Sequence, residues 1–186
     1  MTDDIRRDAE SRMSRALEAL ERDLAAIRTG RAATALVERI PVEYYGTSTP
    51  LNQLASISVP EAHSIVIQPW DRSALGAIEK AIQKSDVGLM PNVDGTAVRL
   101  NIPPLTEERR RDLVKLVHKR MEEARVEIRN DRRDVADHIK RAEKDGDLTS
   151  DDARREQDVL QKVTDRWTAE VDRVGKHKEQ EIMEVG

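Results

Sequence analysis

The chain has 186 residues, enough for one substantial domain or for a medium domain with a small one. With 38% hydrophobic and 37% charged residues, only 2% aromatics and no Phe, it suits amphipathic helices better than the aromatic-filled core of a compact α/β enzyme. A net charge of −4 gives no global cationic field for nucleic acid, and zero cysteines exclude disulfides, zinc–thiolate sites and thiol catalysis, as suits a reducing cytosol.

Residues Met1–Arg7 are polar and lack the apolar core of a signal peptide. No apolar run approaches the roughly 20 residues that cross a bilayer, so a soluble protein is expected. Residues 3–28 predict one amphipathic helix, with Ile5, Ala9, Met13, Ala16, Leu20, Leu24 and Ile27 recurring at steps of three and four. Gly30 interrupts it. From about 31 to 105 the texture changes: all seven prolines fall there, and β-branched residues alternate with polar ones. Strands are expected at 40–45, 55–59, 64–68, 88–90 and 97–102. Tyr45–Pro50 and Asn92–Gly95 carry turn signals. One short helix carries Leu75, Ile78 and Ile82 on a single face, with Asp71 as its N-cap.

Helical periodicity resumes at Thr106, an expected N-cap followed by Glu107 and Glu108 at the positive end of the helix dipole. Leu113, Val117, Met121, Ala124, Ile128, Val135, Ile139 and Ala142 hold one face to about residue 145, a rod roughly 60 Å long. Asp145-Gly146-Asp147 predicts a turn and Ser150 the next cap. Leu160, Val163, Trp167, Val171, Val174 and Ile182 form a third apolar stripe. Three such helices must bury their stripes against one another. The expected fold is therefore α+β: an elongated three-helix bundle (1–30 with 105–186) carrying a small inserted β/α/β domain (31–104). The two chain crossings, one through Gly30 and one through Pro103-Pro104, make a two-strand hinge.

No catalytic signature is present. The glycines form neither a dinucleotide nor a phosphate loop, and His63, His118, His138 and His177 lack metalloprotease spacing. Asp134 and His138 stand one turn apart, as two metal ligands or as an ordinary exposed i,i+4 pair. Asp151 and Asp152 suit a helix start. Neither an enzyme nor a cofactor-binding protein is expected, and no small-molecule substrate.

Charge placement on the second long helix is more informative. Arg111, Lys115, His118, Arg125, Arg129, Arg132, Arg133 and Lys140 fall within about a third of its circumference, away from the apolar stripe. Such a stripe serves either as a solvated face laced with i,i+4 pairs or as a surface for phosphate, which the planar guanidinium fork fits. Arg28 and Arg31 are equally open: phosphate ligands, or charges at the C-terminal end of the first helix. A coiled-coil adaptor or exchange factor binding only protein is a second function class consistent with the helices.

Several stretches carry a resemblance. Arg28–Ala32, Val42–Thr47, Pro50–Ala55, Asp71–Ser73, Pro103–Arg110, Arg129–Asp134 and Asp151–Arg155 resemble, in order, the bacterial ribosome recycling factor family. That resemblance implies an L-shaped, two-domain protein, non-enzymatic and cytoplasmic, that acts in protein biosynthesis after translation termination. It implies binding to the ribosome through large-subunit ribosomal RNA, and subunit splitting with elongation factor G and GTP hydrolysis. Carried over by motif, the RNA-binding residues are Arg28, Gly30, Arg31, Arg129, Arg132 and Arg133, with Gly30, Pro103 and Pro104 at the hinge. Lys115 and Lys140 stay open. A monomer is expected, because three helices of one chain can bury all three stripes. Asp131 departs from the family, which usually has an apolar residue there, and Ala136 stands where asparagine is common.

Overall fold

The computed structural model describes residues 1–184. The fold is α+β, with four α-helices and two small antiparallel sheets among the described residues. The helices are α1 (Thr2–Ala25), α2 (Leu75–Lys84), α3 (Glu107–Lys144) and α4 (Ser150–Met183). Two compact units result: a helical unit of Met1–Arg28 with Glu107–Glu184, and a β-rich unit of Thr29–Thr106. These boundaries differ from the expected 30/31 and 104/105 by two residues. The reason is local, since Gly30 packs on Leu105 and Pro103, which keeps these parts of both crossings in the β-rich unit.

In the helical unit α1, α3 and α4 pack pairwise on one another. All eight apolar positions expected on α3 are buried, and so are Ile5, Ala9, Met13, Ala16, Leu20 and Leu24 of α1. Helix α1 stops at Ala25, leaving Ile27 outside it and half-buried. On α4 the stripe is broader than the apolar letters suggest, because Glu156, Thr164 and Gly175 are also buried. A Cβ at Gly175 would overlap Met121, whose Cγ would lie only 2.7 Å away, so this glycine lets α4 close onto α3. The turn at Gly146 (φ +81°) leads into α4. Its N-cap is Thr149, whose hydroxyl accepts from the Asp152 N–H at 3.1 Å. Ser150, expected as the cap, is the first helical residue and donates to Glu143 Oε1 at 2.8 Å.

Charged pairs tie the long helices along their edges. Arg6 grips the buried Glu156 through two bonds, of 2.9 and 2.6 Å. Trp167 Nε1 donates to Glu10 at 2.8 Å, and Arg166 pairs with the same carboxylate while lying over the Trp167 ring. Between Ile128 and Val135, however, the α3 stripe is interrupted by the half-buried Asp131. Its Oδ2 is buried with no hydrogen-bond partner. Desolvation, then the charge of Glu127, hold this carboxyl above the usual range; Arg12 pulls the other way, and Asp134 and Asp8 add to the rise.

Asp131→Leu should therefore stabilise the protein, by about 1 kcal/mol at pH 7, since it removes an unsatisfied carboxylate and extends the apolar stripe. A native-state value above the unfolded one means that the folded protein binds the extra proton. The parent should then gain on the variant as pH falls through the raised value, with the gain complete below about 4. Denaturant melts of both proteins at several pH values check this; a stability difference that does not change with pH would refute the account of Asp131.

The β-rich unit holds β1 (Pro41–Tyr44) and β2 (Thr47–Pro50) in one hairpin. A second, four-stranded sheet contains β3 (Ala55–Glu61), β4 (Ser64–Pro69), β5 (Pro91–Asp94) and β6 (Ala97–Asn101), in the order β3-β4-β6-β5. Two expectations need correction. Tyr45–Pro50 is a turn only at Tyr45-Gly46, where both residues have positive φ as a type I′ hairpin requires; the residues after it form β2. The strand expected at 88–90 lies at β5 instead, because Gly88 adopts φ +69° and pairing with β6 starts at Pro91. Val37, Val42, Leu51, Ile65, Ile67, Ile78, Ile82, Val98 and Leu100 form the core of this unit. Asp71 caps a 3₁₀ turn (Arg72–Ala74) that leads directly into α2. The Tyr44 hydroxyl donates to Asp71 at 2.7 Å, which raises the phenol to about 12 and lowers the carboxyl.

Candidate nucleic-acid interface

Helix α3 presents the basic stripe as one rigid row, but its cations are not equivalent. Arg111 pairs with Glu107 within the helix, and His118 lies against Glu179 of α4. Arg125 bridges to Asp172 of α4 at 2.5 Å and reaches Glu122 at 3.4 Å. The bond to Asp172 raises the guanidinium above its ordinary value against the desolvation that opposes it. Arg129 donates to Glu122 at 2.8 Å, and that bond is the main reason the Glu122 carboxyl is lowered. These four cations are engaged by acids of the same chain.

Arg132 and Arg133 differ. Arg132 is half-buried and Arg133 exposed, and among the described residues neither makes a hydrogen bond or an ion pair. Asp137 lies one turn beyond Arg133 without pairing to it, and Asp134 is taken by Arg12 of α1 at 3.3 Å. Lys115 and Lys140 are exposed and likewise without an acidic partner among the described residues. Periodicity places all these residues on one face; it cannot tell which are neutralised, because Asp172 and Glu179 come from another helix. The expected Asp134–His138 pair does not form, and among the described residues no group of three or more acids and histidines could hold a metal ion.

The remaining candidates lie at the crossings. Arg28 ends the first segment of the helical unit, while Gly30 and Arg31 open the β-rich unit. Gly30 is buried, with φ +75°. A Cβ there would lie 3.1 Å from Leu105 Cγ and 3.2 Å from the Leu105 nitrogen. Its carbonyl accepts a 2.7 Å bond from His63 Nδ1, which must therefore carry the proton. Backbone bonds from Ala32 N–H to the Ala62 carbonyl (2.7 Å) and from Ile102 N–H to the His63 carbonyl (2.8 Å) hold both crossings to the tip of the β3–β4 hairpin. Pro103 and Pro104 are exposed. In the sequence His63 shows only that it lacks metal-site spacing; its role as a fastener of both crossings has no signal there.

Gly30→Ala should cost about 2 kcal/mol, from left-handed backbone and the close approach of Leu105 together. Denaturant unfolding checks it. A loss below about 0.5 kcal/mol, the ordinary range for an uninvolved surface substitution, would mean that this turn is not fixed as described.

The family model described as Ribosome recycling factor matches residues 20–183. The ribosome-recycling factor of Halalkalibacterium halodurans is 58% identical over 185 residues, covering 100% of both chains. That of Thermomicrobium roseum is 55% identical with the same coverage. Among solved structures, a solution structure of the ribosome recycling factor aligns with a TM-score of 0.75 and 48% identity, covering 99% of this chain and 98% of the other. A second match has a TM-score of 0.62 and 46% identity, covering 99% of this chain and 100% of that one. It comes from models of the T. thermophilus ribosome recycling factor and the E. coli elongation factor G bound to the E. coli post-termination complex.

Proposed function

The chain belongs to the ribosome recycling factor family, and from that we propose that it binds the post-termination ribosome through the unneutralised end of its α3 stripe and splits the subunits with elongation factor G and GTP. The family is one of non-enzymatic translation factors, so the missing catalytic constellation is in keeping with the task. Family membership also sets aside the rival expectation of an adaptor that binds only protein.

One observation carries the binding surface. In a chain of net charge −4, two adjacent arginines on a long helix have no acidic partner among the described residues. Nothing in their own fold needs them charged, whereas a phosphate backbone does. Arg28, Gly30 and Arg31 join them in this proposal by their match to the family motif, with Arg129 released from Glu122 on contact with RNA.

The finer architecture follows the same proposal: an elongated three-helix bundle as the anchor, a β/α/β domain as the moving part, and the crossings as hinge. Pairwise packing of α1, α3 and α4 supports the bundle and a monomer, since the stripes meet within one chain. No helix among the described residues is long and apolar enough to cross a membrane, and we place the protein in the cytoplasm, where ribosomes work.

The test is subunit separation by sedimentation, using purified post-termination ribosomes, elongation factor G and GTP. Separation should require the chain together with both. An unchanged sedimentation profile when the chain is added would overturn the proposal.

A further inference from the structure

We propose that the groove between α2 and the β1–β2 hairpin is a docking site for an acidic helix of a protein partner, separate from the basic stripe of α3. The groove has a volume of about 780 Å³. Ile40, Pro41, Gly76, Ala77 and Ala81 make an apolar floor. Exposed Lys80 and Lys84 stand on its α2 side, with exposed Glu43 and Ser48 on the hairpin side.

Gly76 is the first reason. It sits in the first turn of α2 at an ordinary helical conformation, a place that glycine, the poorest helix former after proline, does not favour over other residues. A Cβ at this position would meet nothing within 4 Å, so no close approach inside the chain calls for glycine. Its missing side chain instead leaves the groove open, where the backbone of another helix can come close.

The lysines are the second reason. Lys80 and Lys84 are i,i+4 neighbours of like charge, a pairing that weakens a helix. Among the described residues neither has an ion-pair partner. Lys84, in the last turn, complements the helix dipole. Lys80 lies a full turn earlier and gains little from it. Two carboxylates spaced one turn apart on an incoming helix would neutralise both lysines.

Chemistry also separates a protein partner from a nucleic acid. The floor offers no aromatic ring for a base to stack on and no guanidinium fork for a phosphate. Glu43 on the opposite side repels a continuous anionic backbone. It suits a helix with glutamates along one edge, small apolar residues on its contact face and a lysine along the other edge.

The experiment is an NMR titration of the ¹⁵N-labelled full chain with a peptide of that design. Shifts should group at Ile40, Glu43, Gly76, Lys80 and Lys84 and leave α3 unmoved. Lys80→Glu with Lys84→Glu should weaken binding at least about tenfold, and a peptide with its charges exchanged should restore it. Gly76→Leu should fill the groove and remove binding while the remaining amide spectrum is kept. Equal binding of a peptide with glutamine for glutamate would overturn the proposal, as would stronger shifts at the same residues from oligoadenylate. No response at millimolar acidic peptide would overturn it too.

Discussion

Replacing Arg132 and Arg133 together by alanine should lower ribosome affinity about 10²- to 10⁴-fold while leaving helix content unchanged. Each lost charge-assisted contact to phosphate is worth about 1.5–3 kcal/mol, and each 1.4 kcal/mol is a factor of ten. The slope of log affinity against log salt should fall by about two, one for each contact removed. Neither side chain holds another part of the fold, so thermal stability should hardly move. Arg125→Ala supplies the contrast. Its guanidinium is engaged by Asp172, so that variant should lose stability and change the salt slope little. If the double variant keeps the parent's affinity and slope, Arg132 and Arg133 belong to a solvated helix face and the binding surface lies elsewhere.

How much of this was legible from residues alone depended on whether a signal was local. The α3 stripe was fully readable, because Leu113 to Ala142 repeat with the helical period and each is buried where the period puts it. Glu156 was not, although it lies on the same face as Ala153 and Leu160 of α4. A glutamate reads as exposed until Arg6, 150 residues away, is seen to grip it. Gly175 carries no signal of its own for a similar reason, since only the nearness of Met121 gives it meaning. In the β-rich unit Thr47-Ser48-Thr49-Pro50 looked like loop, yet pairing with Pro41–Tyr44 makes it a strand, a tertiary choice that composition does not carry. Residues of the candidate interface were placed on one helix face by their spacing. Which of them remain unpaired depends on Glu107 and Glu122 of α3 itself and on Asp172 and Glu179 of α4.

The largest effect is expected from a covalent lock between the two units. The chain has no cysteine, so one introduced in each unit gives a single, specific and reducible crosslink. The pivot we propose lies beside the one expected at Gly30, Pro103 and Pro104. Gly30, Ala32 and Ile102 are tied to the tip of the β3–β4 hairpin, and Leu105 packs on Gly30. On our proposal the freedom therefore lies just outside this clasp. One place is the link between α1, which ends at Ala25, and Gly30; the other is the link between Leu105 and α3, which begins at Glu107. On the same proposal, with both units keeping their own cores, the motion would be a rotation of two intact bodies, absorbed by a few backbone angles in these short segments. The locked protein should bind ribosomes much as the parent does, because Arg132 and Arg133 belong to the helical unit and, of the proposed contacts, Gly30 and Arg31 alone open the β-rich unit. It should fail to split them, since the β-rich unit can no longer change its pose when elongation factor G hydrolyses GTP, and reduction of the crosslink should restore splitting. A locked protein that splits ribosomes at the parent's rate would remove hinge rotation from the mechanism. Loss of binding on locking would mean instead that the β-rich unit contributes more to the anchor than Gly30 and Arg31.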